Sequence, residues 1–179
     1  MDHHLLVAAL LIDLSATIAI VDGLYLHLYK YKLYARRDSV TEHLTHTLRA
    51  VLFGPMIYLL FGRCFAGAVL YATLAIVLVD FAIQSWDVLV ERASRSSLGG
   101  LSSFEYWIHV AAITTHVAAV TLVLAARPAE AWSLSAPTVL AVEWPAIARW
   151  SALGLLPGAV GLAVLHLWLL RPRYRVAAT

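Results

Sequence analysis

The sequence predicts an all-α integral membrane protein in which five transmembrane helices make up a single membrane domain, residues 1–179. Three observations carry this. Of the 179 residues, 61% are hydrophobic and 13% are charged, against about 45–50% and about 25% in a soluble domain. The mean hydropathy is +0.78. Apolar runs of the length a bilayer demands, about 20 residues, recur along the chain. A soluble chain of this size would have to expose larger apolar patches than water tolerates.

The first span, near 5–33, follows Met1-Asp2-His3-His4, which has no basic n-region, and its apolar stretch outruns a signal-peptide core. It therefore reads as an uncleaved span, with His3 and His4 solvated at a loose end. Further spans are expected near 40–61, 65–92, 103–126 and 150–170. Gly54-Pro55 in the second and Gly154, Pro157, Gly158 and Gly161 in the fifth mark kinks or close helix packing. An odd number of spans puts the termini on opposite sides. Lys30, Lys32, Arg36 and Arg37 lie between spans one and two, Arg92 and Arg95 between three and four, and Arg171, Arg173 and Arg175 after five. The positive-inside rule then sets the N-terminus out and the C-terminus in the cytoplasm, in an inner or plasma membrane. The long 127–149 connection, with its prolines and Trp132 and Trp144, suits a loop at the outer interface.

Composition excludes several functions. A net charge of +2 from 13 basic and 11 acidic residues is no nucleic-acid footprint. A single cysteine, Cys64, excludes an internal disulfide, a thiolate zinc cage and an iron–sulfur cluster. No glycine-rich nucleotide motif is present, so any nucleotide dependence would run through another protein. The residues that stand out are the 8 histidines.

Two of them belong to a repeated pattern. Ser39-Val-Thr-Glu42-His-Leu-Thr-His46 and Ser102-Ser-Phe-Glu105-Tyr-Trp-Ile-His109 share the spacing S-x-x-E-x-x-x-H, each after a descending span and a short basic turn. Spans one and two and spans three and four thus read as two copies of one helical hairpin, related as parallel repeats about the membrane normal and forming a four-helix bundle. S-x-x-E alone is a capping box, in which serine and glutamate satisfy the first N–H groups of a helix. Capping does not explain the histidine four residues on, which shares a helix face with the carboxylate.

Ionisable groups inside spans are costly and mark function or a paired interior. The third span carries Asp80, Gln84, Asp87 and Glu91 as one continuous stripe. The first carries Asp22 and His27, which an α-helix sets about 140° apart, on different faces. Counted inward from the cytoplasmic turns, His27, Glu42, His46, Asp87, Glu91, Glu105 and His109 fall in one layer about two turns thick, drawn from four helices. These are the expected metal ligands. Asp22, His43, Asp80 and His166 are alternative ligands or supporting groups, and Tyr25, Tyr29 and Tyr106 are candidate redox or hydrogen-bonding neighbours.

Carboxylates mixed with imidazoles, without sulfur, suit iron, manganese or zinc. Over about residues 20 to 110 the pattern resembles the ferritin-like di-iron and di-manganese carboxylate four-helix bundles, in which two helices give one carboxylate each and two give a glutamate with a nearby histidine. Spans one and three would supply the single carboxylates, from Asp22 and from Asp87 or Glu91. The family spacing is Glu-x-x-His, whereas this chain has Glu-x-x-x-His twice; His43 with His46 adds an i, i+3 pair. The resemblance implies two metal ions, iron first; the leading reading is then an oxidoreductase acting on a lipid-like or quinone-like substrate near the cytoplasmic face, with the electron donor, a partner protein among the options, left open. Other readings of the same residues are a zinc-dependent intramembrane lipid hydrolase, an ion or proton transporter built on Asp22, Asp80 and Asp87, a haem protein with axial ligands among His27, His46, His109, His116 and His166, and a structural polar core in which the acids and histidines pair with Arg49, Arg92 and Arg95.

Overall fold

The computed structural model describes residues 2–174; Arg175, counted above with the C-terminal charges, lies outside them. Helix α1 (Asp2–Ile20) runs directly into a π-helical segment, Val21–Lys30, and α2 (Val40–Ile57) into a shorter one, Tyr58–Gly62. Then come α3 (Gly67–Ser94), α4 (Ser103–Ala125), α5 (Ala146–Gly154) and α6 (Leu156–Leu169). Five helical stretches are long and apolar enough to cross a membrane: His3–Lys30, Val40–Gly62, Gly67–Ser94, Ser103–Ala125 and Ala146–Leu169. The fifth is α5 and α6 together, broken at Leu155. Pro157 stands in the first turn of α6, where its missing N–H leaves no helical bond unmade.

The nearest neighbours are not the hairpin partners. Helix α1 packs against α4 and α5, and α2 packs against α3 and α6. One apolar core is built at one end of the bundle from Leu5, Ala8 and Ile12, Met56, Ile57, Leu60 and Phe61, Val77, Val120 and Val123, with Ala119, Ala148 and Ala152 at the tightest crossings. Small residues there let backbones approach closely, which is how helices gain packing where lipid supplies no hydrophobic drive. On their outer faces the helices expose large apolar side chains, such as Leu10, Leu78 and Leu89.

Two connections close the core end. Among the described residues the one β-bridge, Phe65 with Val139, ties the α2–α3 turn to the 127–145 loop, helped by Ala66 N donating to Thr138 O at 2.9 Å and Leu140 N to Cys64 O at 3.0 Å. Gly67 at the start of α3 has φ +57°, and a Cβ there would lie 2.8 Å from the Ala136 carbonyl oxygen, so this crossing requires glycine. Arg127, at the start of the long connection after α4, is buried. It donates to the carbonyls of Leu59 (3.1 Å), Leu60 (3.0 Å) and Phe65 (2.6 Å), capping oxygens that the end of the second span leaves unpaired. Burial draws its guanidinium below the ordinary value, opposed by Cys64.

Candidate metal centre

The polar layer occupies the opposite end, where the C-terminal parts of the first and third spans meet the starts of α2 and α4. Its geometry begins with the π-helical segment. Tyr31 N donates to Leu26 O at 2.9 Å, a bond five residues back, and i→i+5 turns of this kind are frequent at functional sites. Widening the turn moves Asp22 and His27, five residues apart, onto one face, and His27 Nε2 lies 3.2 Å from Asp22 Oδ1. The 140° separation expected of an α-helix is thereby corrected: both residues reach the same place.

Around Asp22 the other helices close in. His109 of α4 lies between two carboxylates, with Nε2 2.9 Å from Asp22 Oδ1 and Nδ1 2.6 Å from Glu91 Oε1. His46 of α2 has Nε2 3.2 Å from Asp87 Oδ2, and the Thr45 hydroxyl hydrogen-bonds the same aspartate. The His27 ring meets His46 edge-on at 4.2 Å between centroids and faces His109 at 5.8 Å. One ligand atom from each of Asp22, His27 and His46 lies within 4.8 Å of the others, a grouping able to hold a metal ion. Rings this close leave no room for a macrocycle between them, which removes the haem geometry for His27 with His46.

Glu42 and Glu105 differ from each other despite their shared motif. Ser102 and Glu105 form a complete capping box: Glu105 N donates to Ser102 Oγ at 3.2 Å, and Ser102 N donates to Glu105 Oε2 at 3.3 Å. Ser39 makes no such cap; its hydroxyl turns to Asp38 instead. Glu42 is thereby left to face the interior. Between the two glutamates lies Arg95, wholly buried, donating from Nη1 to Glu42 Oε2 at 2.8 Å and from Nε to Glu105 Oε1 at 3.0 Å. Burial opposes its charge, but Glu42 and Glu105 outweigh burial and hold the guanidinium above its ordinary value. Tyr31 donates its hydroxyl to Glu105 Oε2 at 3.0 Å. The remaining Glu42 oxygen, Oε1, points toward His27 Nε2 at 3.7 Å and accepts no hydrogen bond.

The other candidates lie around this centre. His43 stacks on His166 of α6 at 5.1 Å, bringing the fifth span into the layer. Asp80 sits deeper, with Arg49 Nε 3.3 Å from Oδ1 and His116 Nε2 3.6 Å from Oδ2, and so forms its own cluster. Tyr25 and Tyr29 stack on each other at 6.1 Å and, with Tyr106, are exposed. Arg95, read from the sequence as a loop charge and, with Arg49 and Arg92, as a partner of the acids, does pair with Glu42 and Glu105; Tyr31 was passed over for its neighbours and has no sequence signal apart from nearness to the motif.

Asp22, Glu42, Asp87, Glu91 and Glu105 set five carboxylates against the one guanidinium of Arg95, a surplus of four negative charges when all are ionised. Metal cations, protons on His27, His46 and His109, and protons on the carboxylates themselves are ways to balance it, since isolated buried charge is very costly. Among known proteins, no family model matches the chain, and neither a curated protein nor a solved structure is similar to it.

Proposed function

We propose that the chain is a membrane-embedded metal-dependent oxidoreductase whose centre binds two metal ions, iron first, and acts on a lipid-like or quinone-like substrate close to the cytoplasmic face. The observation that carries this reading is the convergence of Asp22, His27 and His46 within 4.8 Å, with His109 against the same Asp22 oxygen. In this reading Asp22, His27 and His46 would hold one ion, with Glu42 Oε1 in reach, and His109, whose Nε2 meets the same Asp22 oxygen, would serve the second, its ring oriented by Glu91 at Nδ1. Asp87 supports His46 from behind, as carboxylates commonly orient ligating histidines.

Donor chemistry favours iron over zinc. The centre offers more carboxylate oxygens than a zinc site of four ligands uses, and mixed carboxylate–imidazole sets suit iron. Transport is less well supported, because the polar stripe of α3 ends at Asp80 among Arg49, His116, Phe53 and Phe81. Beyond it the interior is mainly the apolar core of Val77, Met56, Val120 and Val123, with Asp13 engaged separately by the Ser151 hydroxyl. The iron would supply redox chemistry; the chain's own residues would hold and orient it, with Asp80 and His116 as a separate polar pair deeper in the bundle.

The test is elemental analysis of detergent-purified protein beside its absorption spectrum. About two irons per chain without a haem Soret band is the expected result. Stoichiometric zinc would replace redox chemistry by hydrolysis, and no bound metal after reconstitution would overturn the reading.

A further inference from the structure

The two glutamates of the repeated motif are equivalent in sequence and unequal in space, and the difference is Arg95. Glu105 is fully engaged: Oε1 takes the Arg95 Nε proton, while Oε2 receives the Tyr31 hydroxyl and the Ser102 amide. Glu42 is engaged through one oxygen only. Its Oε2 is fixed by Arg95 Nη1 at 2.8 Å, and its Oε1, buried and without a hydrogen bond, faces the His27–Asp22–His46 grouping. Arg95 itself is anchored on three sides, by the two carboxylates and by the Tyr31 ring, whose centroid lies 5.0 Å from the guanidinium carbon.

We propose that Arg95 is a positioning residue for the metal centre: it withdraws Glu105 from the ligand set and holds Glu42 so that Oε1 alone is presented to the ion bound by His27 and His46. The inference rests on the metal reading above and deepens it by assigning unlike roles to the two motif copies. Guanidinium suits the task because its planar fork binds two carboxylates in fixed directions, which a lysine ammonium does not. The same contacts link the site to both connections at this end. Arg95 and Tyr31 lie just outside the spans, and Arg36, Asp38 and Ser97 join the two connections at the surface. Metal loading is therefore coupled to the order of the 31–39 and 95–102 segments.

The experiment is a Co2+ titration of full-length protein in detergent, followed by the ligand-field absorption of the bound ion, on wild type and on Asp22→Asn, Glu42→Gln, Glu105→Gln, Arg95→Gln and Arg95→Lys. Arg95→Gln is expected to weaken Co2+ binding about 10–100-fold, the range seen when groups that orient ligands are removed, and to change the band shape. Arg95→Lys recovers less than half of the loss on a logarithmic scale, because charge is kept and the fork is not. Glu42→Gln loses at least as much affinity as Arg95→Gln, and Glu105→Gln stays within about threefold of wild type, its amide oxygen still able to accept from Arg95. Wild-type affinity and spectrum in Arg95→Gln, or equal losses in Glu42→Gln and Glu105→Gln, would overturn the inference while leaving the metal centre standing. Should Arg95→Gln fail to fold, the contrast between the two glutamate variants decides alone. Wild type that binds no Co2+ overturns the metal reading and this inference together; binding that Asp22→Asn abolishes supports the first and leaves the second to the arginine and glutamate variants.

Discussion

Asp22 Oδ1 lies 3.2 Å from His27 Nε2 and 2.9 Å from His109 Nε2, so a single oxygen faces both proposed half-sites. The substitution Asp22→Asn keeps the shape and removes the charge. If each ion binds the folded state only, and is supplied at one hundred times its dissociation constant, each contributes about 2.7 kcal/mol to stability. Two independent ions contribute about 5 kcal/mol on that basis. For a chain of this length each kcal/mol moves the melting temperature by about 2–4 °C, so loading iron anaerobically should raise the detergent melting temperature by about 10–20 °C. His109→Ala removes one half-site and should keep about half of that rise. Asp22→Asn weakens both, and a rise under about 3 °C is expected at the same metal concentration.

The assay is a thermal melt read by intrinsic tryptophan fluorescence, with and without Fe2+, alongside metal counting on the same samples. The ordering wild type, His109→Ala, Asp22→Asn is the content of the prediction, because it follows from the shared position of one carboxylate. Equal metal-dependent shifts in wild type and Asp22→Asn would refute the sharing. Loss of the whole shift in His109→Ala with one ion still bound would place all of the linkage in the second half-site, which the geometry does not allow.

Other expectations concern the frame around the site. Arg127→Met leaves the carbonyls of Leu59, Leu60 and Phe65 without their donor; with about 1–3 kcal/mol per unsatisfied buried group, a loss of several kcal/mol in denaturant titration is expected, and a loss under about 1 kcal/mol would remove the capping role. Ser102→Ala breaks a formed capping box and should cost about 1 kcal/mol, whereas Ser39→Ala, at an uncapped copy, should cost less in the same measurement. Asp38 is held below its ordinary value, first by the Ser97 hydroxyl and then, against burial, by Arg36. A lowered carboxylate stabilises the fold above its unfolded pKa, near 4, and that contribution is lost as pH falls through the folded value. Hydrogen exchange in 31–39 and 95–102 should therefore quicken below about pH 4, and Asp38→Asn should remove the dependence.

Much of this architecture is legible in the sequence, and the exceptions share a cause. Hydropathy reveals the five spans because bilayer thickness fixes helix length, and the i, i+4 spacing of Glu42 with His46 and Glu105 with His109 places those pairs at one end of the bundle. What hydropathy and helix wheels cannot carry is a departure from 3.6 residues per turn. Asp22 and His27 looked incompatible for that reason, and only the π-helical register of Val21–Lys30 joins them. The buried arginines were hidden differently. Arg95 and Arg127 flank spans, where positive charge is expected on topological grounds, and nothing local distinguishes a solvated loop arginine from one that reaches back into the bundle. The capping box shows the same limit: S-x-x-E is identical in both copies, yet it closes on Ser102 and not on Ser39.

The distribution of polar groups also bears on why they are there. The helices are held together at the core end, where Leu5, Ile12, Phe61, Leu60 and Val120 pack with small residues at the crossings. That contact set makes no use of the acids and histidines. Replacing buried ion pairs by apolar residues is often neutral or stabilising, so a layer with five carboxylates and three imidazoles from four helices contributes little to holding the bundle that leucines would not. Its members are arranged instead as carboxylate–imidazole pairs: Asp22 with two imidazoles, Glu91 with His109, and Glu42 toward His27. Such pairs are held by protons on the imidazoles or by cations in their place. Arg95 supplies one such cation from the chain itself, at Glu42 and Glu105. The Asp22 side of the layer has imidazoles but no lysine or arginine in its ion pairs, and that is where a metal ion has the most charge left to neutralise.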